Sequence, residues 1–525
     1  MNILIAETMA HTGVELLQAQ RGWNVIVSNP KEYQQHLAEC HALVVRSAIH
    51  VDAEVLKQAP KLKVIGRLGV SVDNVDLTAA TAAGVLVMNT PGGNAVSVAE
   101  HTLALMLSMA RSIPQANAST KAGNWERKRF SGSELRGKTV GVVGLGSIGR
   151  EVVRRARAFE MRTVAYDPYV TSGIARDLSV ELLTLDEVYA QSDYLTIHVS
   201  LTHETDHLLN EASFAKMKHG VRIVNCARGE LIDETALQAA IASGKVAGAA
   251  LDVFAHEPTD ASHPLFAMEQ VLATPHIGGA TEEAKEIVGL RLAEQMVEFL
   301  QNGTAINAVN MPSLSMDQHR MMRPFVDLSE RLGRFAAHLL TGNPITIRMT
   351  YFGRIADLNT TLLRNAGLAG VLNRSSSAHA NAVNSMQIAS EHGWTVAEVH
   401  DKRSGHADSI RIEIETDVAL TVVEGAVVLN RPRLMQVDGI YCEAPLTGPL
   451  LCMKNLDVPG VVGHVGSVLG SNRINIANFS LGRRDSGERL EAIAVVSTDT
   501  LVPQDVLDQL MSNPAVKLAR AVAIG

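Results

Sequence analysis

The sequence predicts an α/β protein in which two parallel-sheet units are followed by two smaller α+β units. Three observations carry this. Residues 1–307 alternate short apolar strands with helices, the pattern of doubly wound sheets. Gly144-Leu-Gly146-Ser-Ile-Gly149 sits between a buried-strand run, Thr139–Val143, and a helix predicted over 150–159. Past residue 308 the texture changes, and residues 448–525 read as βαββαβ, the ferredoxin-like order.

The length of 525 residues is too great for one core and implies three or four domains. Aromatic residues make up 4% of the chain, so the cores must be aliphatic. A net charge of −8 gives no electrostatic case for nucleic acid or an anionic membrane. No apolar run is long enough to span a bilayer, and Met1-Asn-Ile-Leu-Ile-Ala-Glu7 reads as a strand rather than a signal peptide. Cys40, Cys226, Cys442 and Cys452 have neither zinc spacing nor the density of a disulfide framework, which predicts reduced thiols in a cytoplasmic protein.

In chain order, the first unit has strands over 3–6, 24–27, 42–46, 63–67 and 85–88, with helices over 12–20 and 77–83 between them. It has no phosphate-binding fingerprint and is read as a substrate unit. Asn89-Thr-Pro-Gly-Gly-Asn94 is a turn cluster and a hinge. The helix over 97–111 is apolar almost all round and is therefore expected to be buried between domains or subunits.

The glycine turn then opens the second unit. Its first glycine permits a tight turn, its second lets a pyrophosphate approach the backbone, and its third lets helix and strand pack closely. Asp167 ends the next strand, placed to accept from both ribose hydroxyls and to repel a 2′-phosphate, so the cofactor is NAD rather than NADP. The unit is Rossmann-type, with further strands over 194–199, 222–226, 248–253 and 271–274. A long helix over 282–301 returns the chain to the first unit, making that unit discontinuous.

Arg228, Glu257 and His276 each follow a strand of the second unit, where ligands of open α/β sheets lie. His276 suits proton exchange with a substrate oxygen, Glu257 suits pairing with its ring, and Arg228 suits a bidentate grip on a carboxylate. Taken singly, each has a plain structural alternative: a surface ion pair, a turn and a core histidine. Their shared position favours the functional set. His203 and His207 have helical metal-ligand spacing but fall in a polar loop, so no metal is expected.

The later residues read as helices over 325–340 and 357–366, with strands over 345–351, 409–415 and 426–429. The last unit reads as strands over 450–454, 474–481, 492–497 and 516–523, with helices over 461–469 and 504–511.

With Gly66-Arg-Leu-Gly-Val-Ser-Val-Asp-Asn-Val-Asp76, Val87-Met-Asn-Thr-Pro91, Trp125-Glu-Arg-Lys128, Val224-Asn-Cys-Ala-Arg-Gly229, Ala250-Leu-Asp-Val-Phe254 and Pro275-His-Ile-Gly278 beside the glycine turn, the chain resembles the D-2-hydroxyacid dehydrogenase family. The tail resembles that family's long form, with an extra domain followed by an ACT domain. The implied division is a discontinuous, flavodoxin-like substrate domain (1–94 and 283–307), an NAD domain (95–282), an intervening domain (308–445) and an ACT domain (446–525).

The resemblance implies NAD-linked oxidation of 3-phosphoglycerate to 3-phosphohydroxypyruvate, the entry to serine synthesis. It assigns Arg228, Glu257 and His276 to catalysis. It implies cofactor contacts at Ser147, Ile148, Cys226, Ala227, Asp252, Gly278 and Gly279, beside Gly144, Gly146, Gly149 and Asp167. It implies substrate contacts at Arg46, Ser47, Arg67 and Asn94, with Arg127 and Arg129 offered by a partner subunit of a homodimer or homotetramer. In the ACT domain it implies L-serine binding at Asn455, Asp457 and Asn475, the alternative being a purely structural dimer contact, and in the intervening domain an anion site from Lys402-Arg403 and Arg431-x-Arg433, residues that read equally as a solvated basic face.

The chain departs from the family at Ser71, where a second glycine is usual, and at Ser200, where proline is usual. Two other readings stay open. A glyoxylate or hydroxypyruvate reductase would share the fold but lack a reason for the two tail domains. A silent NAD-sensing protein would have no use for Arg228, Glu257 and His276.

Overall fold

The structure is a computed structural model that describes residues 1–312, 316–375, 379–402, 408–484 and 491–524. The described residues form four sheets. The first has five parallel strands in the spatial order Asn24–Val27, Asn2–Ile5, Ala42–Val45, Val64–Arg67, Leu86–Met88. The burial pattern explains the apolar runs: Ala42–Val45 is buried on both faces, as a central parallel strand must be.

The second sheet has seven strands, and its order places Val271–Ala273, Val246–Leu251 and Val221–Asn225 side by side. Next come Tyr194–Ile197, Thr139–Val143, Arg162–Tyr166 and Glu181–Leu182. The strand order reverses between Tyr194–Ile197 and Thr139–Val143, which opens a crevice at their carboxyl ends. The apolar helix is Ala95–Arg111, and it buries Val98, Leu103, Leu105 and Met106 in a core shared with Val140, Val142 and Val152.

The long helix is Glu282–Asn302, stopped by Gly303 in the left-handed region. Its Val288, Leu292, Ala293 and Met296 pack with Ile3, Ile5 and Val64 of the first sheet, so the chain does return to the first unit. The return is finished by an antiparallel bridge from Met88 to Ala308 and by Asn310, whose side chain accepts from the Val87 N–H at 2.9 Å.

Two helices, Met316–Leu339 and Thr361–Ser375, cover one face of a six-stranded mixed sheet. The first of these runs through Pro324, where sequence reading starts the helix only at 325. The strands Thr395–Asp401, Arg431–Val437 and Ile440–Pro445 are also absent from the sequence reading, and the predicted strand over 426–429 is the end of a longer one, Leu420–Val428.

The last sheet is four-stranded and antiparallel, in the order Ile476–Arg484, Glu491–Thr498, Gly448–Leu456, Val516–Ile524. Helices Val461–Ser471 and Gln504–Met511 cover one face. The other face carries Leu450, Cys452, Ile493, Val495, Val522 and Ile524 into the same core as Leu332, Phe335 and Cys442. Among the described residues, no helix is long and apolar enough to cross a membrane.

Candidate active site

The three glycines of the turn have three different physical reasons. Gly144 has φ +95°, and a Cβ there would lie 2.5 Å from the His198 carbonyl oxygen. A Cβ on Gly149 would lie 2.0 Å from the carbonyl oxygen of Gly144. A Cβ on Gly146 would meet nothing within 4 Å, so that position faces the open cradle above the sheet. Helix Ser147–Ala158 starts there, its free N–H groups and positive end facing the same space. Asp167 follows Arg162–Tyr166; its carboxylate already accepts from the N–H groups of Leu145 (2.8 Å) and Tyr169 (2.9 Å), which fixes its orientation beside the turn. An open, amide-lined cradle with an oriented acid at its edge fits the diphosphate and ribose of a dinucleotide.

Arg228, Glu257 and His276 follow the carboxyl ends of three adjacent strands, Val221–Asn225, Val246–Leu251 and Val271–Ala273. His276 Nδ1 is 2.6 Å from Glu257 Oε2. Glu257 Oε1 accepts from the Phe254 N–H at 3.0 Å. Burial pushes the Glu257 carboxyl up, but the hydrogen bonds of His276 and Phe254 and the charge of Arg228 outweigh it and hold it below its usual range. The loop of Arg228 packs directly on that of Glu257, because a Cβ on Gly229 would lie 1.9 Å from the Phe254 carbonyl carbon. Asn225 secures the turn: it donates to the Arg228 carbonyl at 2.7 Å and accepts from the Ala227 N–H at 3.0 Å.

His276 has φ +54°, a left-handed backbone that costs a non-glycine residue about 1 kcal/mol or more. Asp252 compensates. Its carboxylate accepts from Thr274 Oγ1 (2.5 Å), the Ile277 N–H (2.9 Å) and the Gly278 N–H (2.7 Å), and His101 lies 3.2 Å away. Asp252 is 1% exposed, so the residue expected at the cofactor spends its side chain on the loop that carries His276. Gly279 packs on Asn94, whose Oδ1 is buried without a protein partner and stands at the hinge between the units. Burial pushes the Cys226 thiol up to about 12, so it packs rather than reacts.

The first sheet points its strand ends at the same place. Arg46 and Ser47 follow Ala42–Val45, and Arg67 ends Val64–Arg67. Burial lowers the Arg67 pKa, and the charges of Arg228 and Arg46 lower it further. Asp73 reaches across to Arg228, with Nε to Oδ2 at 3.0 Å. Ser71 does not distort this loop: it is not among the residues with positive φ, and its Oγ accepts from the Asp73 N–H at 3.2 Å.

Several supporting residues were not singled out from sequence. Buried Glu7 accepts from the N–H groups of Arg46, Ala48 and Ile49, which shapes the Arg46-Ser47 loop. Glu234 accepts from the Ala255 N–H at 3.1 Å and pairs with His263 at 3.1 Å, bracing the loop of Glu257. An acid directly after the first strand, in a unit whose loops carry arginines, was the available signal for Glu7.

Other expected sites separate. Arg129 is held by Glu126 and Glu269 of its own chain, at 3.2 and 2.8 Å, while Trp125 is 79% exposed. His203 and His207 lie in a turn-rich loop, with His207 3.3 Å from Asp206. In the intervening unit Lys402 pairs with Asp357 at 2.9 Å and Arg433 with Glu443 at 3.1 Å, and Arg403 lies outside the described residues. In the last unit Asn455 and Asp457 line a cavity of about 300 Å³. Asn475 is not among its lining residues; it sits exposed at the strand edge, its N–H donating to Asp499 at 3.1 Å. Arg483 stands in the cavity instead, 3.3 Å from Asp457, because the sheet pairing turns that residue inward.

Residues 103–278 match the NAD binding domain of the D-isomer specific 2-hydroxyacid dehydrogenases. Fold and site therefore define an NAD-dependent oxidoreductase of that class. Residues 321–438 match the D-3-phosphoglycerate dehydrogenase intervening domain and residues 453–515 the ACT domain. The chain is 39% identical over 519 residues to D-3-phosphoglycerate dehydrogenase of Methanocaldococcus jannaschii, covering 98% of each chain. It is 36% identical over 520 residues to the Bacillus subtilis enzyme of the same name, again covering 98% of each. The chain belongs to the D-3-phosphoglycerate dehydrogenase family. Among solved structures, the TT0316 protein of Thermus thermophilus aligns with a TM-score of 0.54 at 35% identity, over 59% of this chain and 100% of that one. D-lactate dehydrogenase of Escherichia coli aligns with a TM-score of 0.53 at 30% identity, over the same 59% of this chain and 100% of its own.

Proposed function

We propose that the chain oxidises 3-phospho-D-glycerate to 3-phosphohydroxypyruvate, the first step of L-serine biosynthesis. One observation carries the reading: the His276–Glu257 pair sits on a loop packed against that of Arg228, and Asp73 ties Arg228 to the loop that follows Arg67. Bound NAD supplies the hydride acceptor. With Nδ1 directed at Glu257, the Nε2 of His276 takes the substrate hydroxyl proton as the carbon gives up its hydride. Arg228 holds the carboxylate and carbonyl oxygen, and Arg46, Ser47, Arg67 and Asn94 receive the rest of the anion. Glu257 stabilises the cationic ring that results. Gly144, Gly146, Ser147, Ile148 and Gly149 would hold the cofactor's diphosphate, Asp167 its ribose, and Cys226, Ala227, Asp252, Gly278 and Gly279 the rest of it.

The test compares kcat/KM with NADH for 3-phosphohydroxypyruvate and for unphosphorylated hydroxypyruvate. A preference of about a hundredfold, roughly 2.7 kcal/mol, is expected from a pocket that reads phosphate. Equal rates would make the chain a general hydroxypyruvate or glyoxylate reductase.

The same reading divides the chain into substrate (1–94, 283–307), NAD (95–282), intervening (308–445) and ACT (446–525) domains. It makes the enzyme a cytoplasmic homodimer or homotetramer; the four buried free cysteines support a reducing compartment, and exposed Trp125 supports a subunit contact. L-Serine is the proposed ACT ligand, its ammonium on Asp457, with Arg483 rather than Asn475 receiving its carboxylate beside Asn455. Equilibrium dialysis with labelled L-serine tests it; no binding at millimolar ligand removes the claim.

A further inference from the structure

Arg228 is held at two points. Its Nε–H donates to Asp73 at 3.0 Å and its Nη1–H to the Ala227 carbonyl at 2.5 Å. Neither contact uses Nη2. Ala227 is on the same loop as Arg228, but Asp73 is 155 residues away and lies in the other parallel-sheet unit, after strand Val64–Arg67. The aim of the arginine therefore depends on a residue across the cleft.

The charges nearby need such a residue. The Arg67 guanidinium feels the charges of both Arg228 and Arg46. The neighbouring carboxylate Glu7 is consumed by three backbone N–H groups. Asp73 is solvent-facing, with 73% of its side chain exposed, yet it touches one of the three cations and feels a second. Burial raises its pKa, but a hydrogen bond from Ser71 and the charges of Arg228 and Arg67 bring it below its ordinary value, so it is ionised at neutral pH.

We propose that Asp73 is a positioning residue: it holds Arg228 by the Nε edge, leaves the Nη2 edge for the substrate, and limits how readily the cation cluster takes up other anions. This rests on the reading of Arg228 as the substrate anchor.

The experiment uses the full-length enzyme with 3-phosphohydroxypyruvate and NADH, and inorganic phosphate as the competing anion. Asp73→Ala removes both hydrogen bond and charge, and kcat is expected to fall roughly tenfold or more, the loss of one charge-assisted hydrogen bond. Asp73→Asn keeps an acceptor for Nε but removes the charge. It is expected to recover most of that kcat while tightening phosphate inhibition by about threefold or more. A purely structural role would lower both variants together and leave phosphate inhibition alone. The proposal is overturned if Asp73→Ala stays within about twofold of the parent in kcat, or if Asp73→Asn matches Asp73→Ala with unchanged phosphate inhibition. Arg228→Ala separates the two levels. If it retains the parent kcat/KM, the anchor reading fails; if it is crippled while both Asp73 variants behave as the parent, only the positioning role fails.

Discussion

His276 Nδ1 and Glu257 Oε2 stand 2.6 Å apart, although they sit on loops that leave two different strands. The carboxylate fixes which ring nitrogen faces the substrate and stabilises the imidazolium formed during oxidation. Glu257→Gln keeps a polar partner but no charge, so kcat for oxidation should fall roughly tenfold to a hundredfold with little change in NAD affinity. Steady-state rates at saturating NAD, with a separate NAD titration, check this. His276→Ala should abolish turnover; a residual rate near the parent's would remove the acid-base assignment.

The phosphate end is tested by Arg46→Ala and Arg67→Ala. Each should raise KM for 3-phosphohydroxypyruvate by about tenfold or more and change KM for hydroxypyruvate far less. Arg67→Ala also removes a hydrogen bond to the Leu68 carbonyl, so a smaller loss of Tm should accompany it.

The glycine turn gives a paired prediction. Gly149→Ala drives a Cβ to 2.0 Å from the Gly144 carbonyl oxygen, a backbone atom that cannot swing aside as a flexible side chain would. It should destabilise the NAD unit by about 1–3 kcal/mol. Gly146→Ala fills open space and should leave Tm nearly unchanged while weakening NAD by roughly tenfold. Calorimetry beside fluorescence titration of NADH separates the two; parallel losses in both variants would contradict the cradle.

Acid should act through Asp252 and Glu257. For Asp252, burial raises the pKa, but His101, Thr274 and the N–H groups of Ile277 and Gly278 lower it further than burial raises it. Glu257 is lowered likewise. A group depressed in the folded state stabilises fully above its unfolded value, about 3.9 for Asp and 4.3 for Glu, and that contribution is lost as pH falls through the depressed folded value. Unfolding free energy should therefore decline below about pH 4.5, and Asp252→Asn should flatten that decline. Denaturant titrations across that range would show it; an unchanged slope would mean the loop is held by other contacts.

Truncation after residue 445 should do more than remove a ligand-binding tail. It would uncover the partners of Leu450, Cys452, Ile493, Val495, Val522 and Ile524 in the core around Leu332 and Phe335. Each such side chain contributes about 1.5–3 kcal/mol when buried. The shortened chain should aggregate or lose the unfolding transition of its third unit in a calorimetric scan, while the NAD unit melts as before.

The first two units were legible because their signals are local. A parallel strand such as Ala42–Val45 is apolar throughout, and a glycine turn needs only neighbours in sequence. The intervening sheet was harder. Neither Thr395–Asp401 nor Ile440–Pro445 carries a long apolar run, so both escaped notice, and Pro324 hid the first turns of a helix that tolerates it. In the last unit it is Arg483, and not Asn475, that lines the cavity of Asn455 and Asp457, a placement set by tertiary packing rather than by neighbours in sequence.

By itself the sequence determined the alternation of strands and helices, the dinucleotide turn and the three polar residues at strand ends, since each depends on residues a few positions apart. Tertiary structure decided what meets across long separations. It placed Asp73 on Arg228 and Asp252 on the loop of His276. It also divided the apolar run Leu450-Leu-Cys-Met453 between two cores, with Leu450 and Cys452 facing the intervening sheet and Leu451 and Met453 the ACT helices. A strand shows that a residue has two possible faces; only the packing of the whole chain says what lies against each.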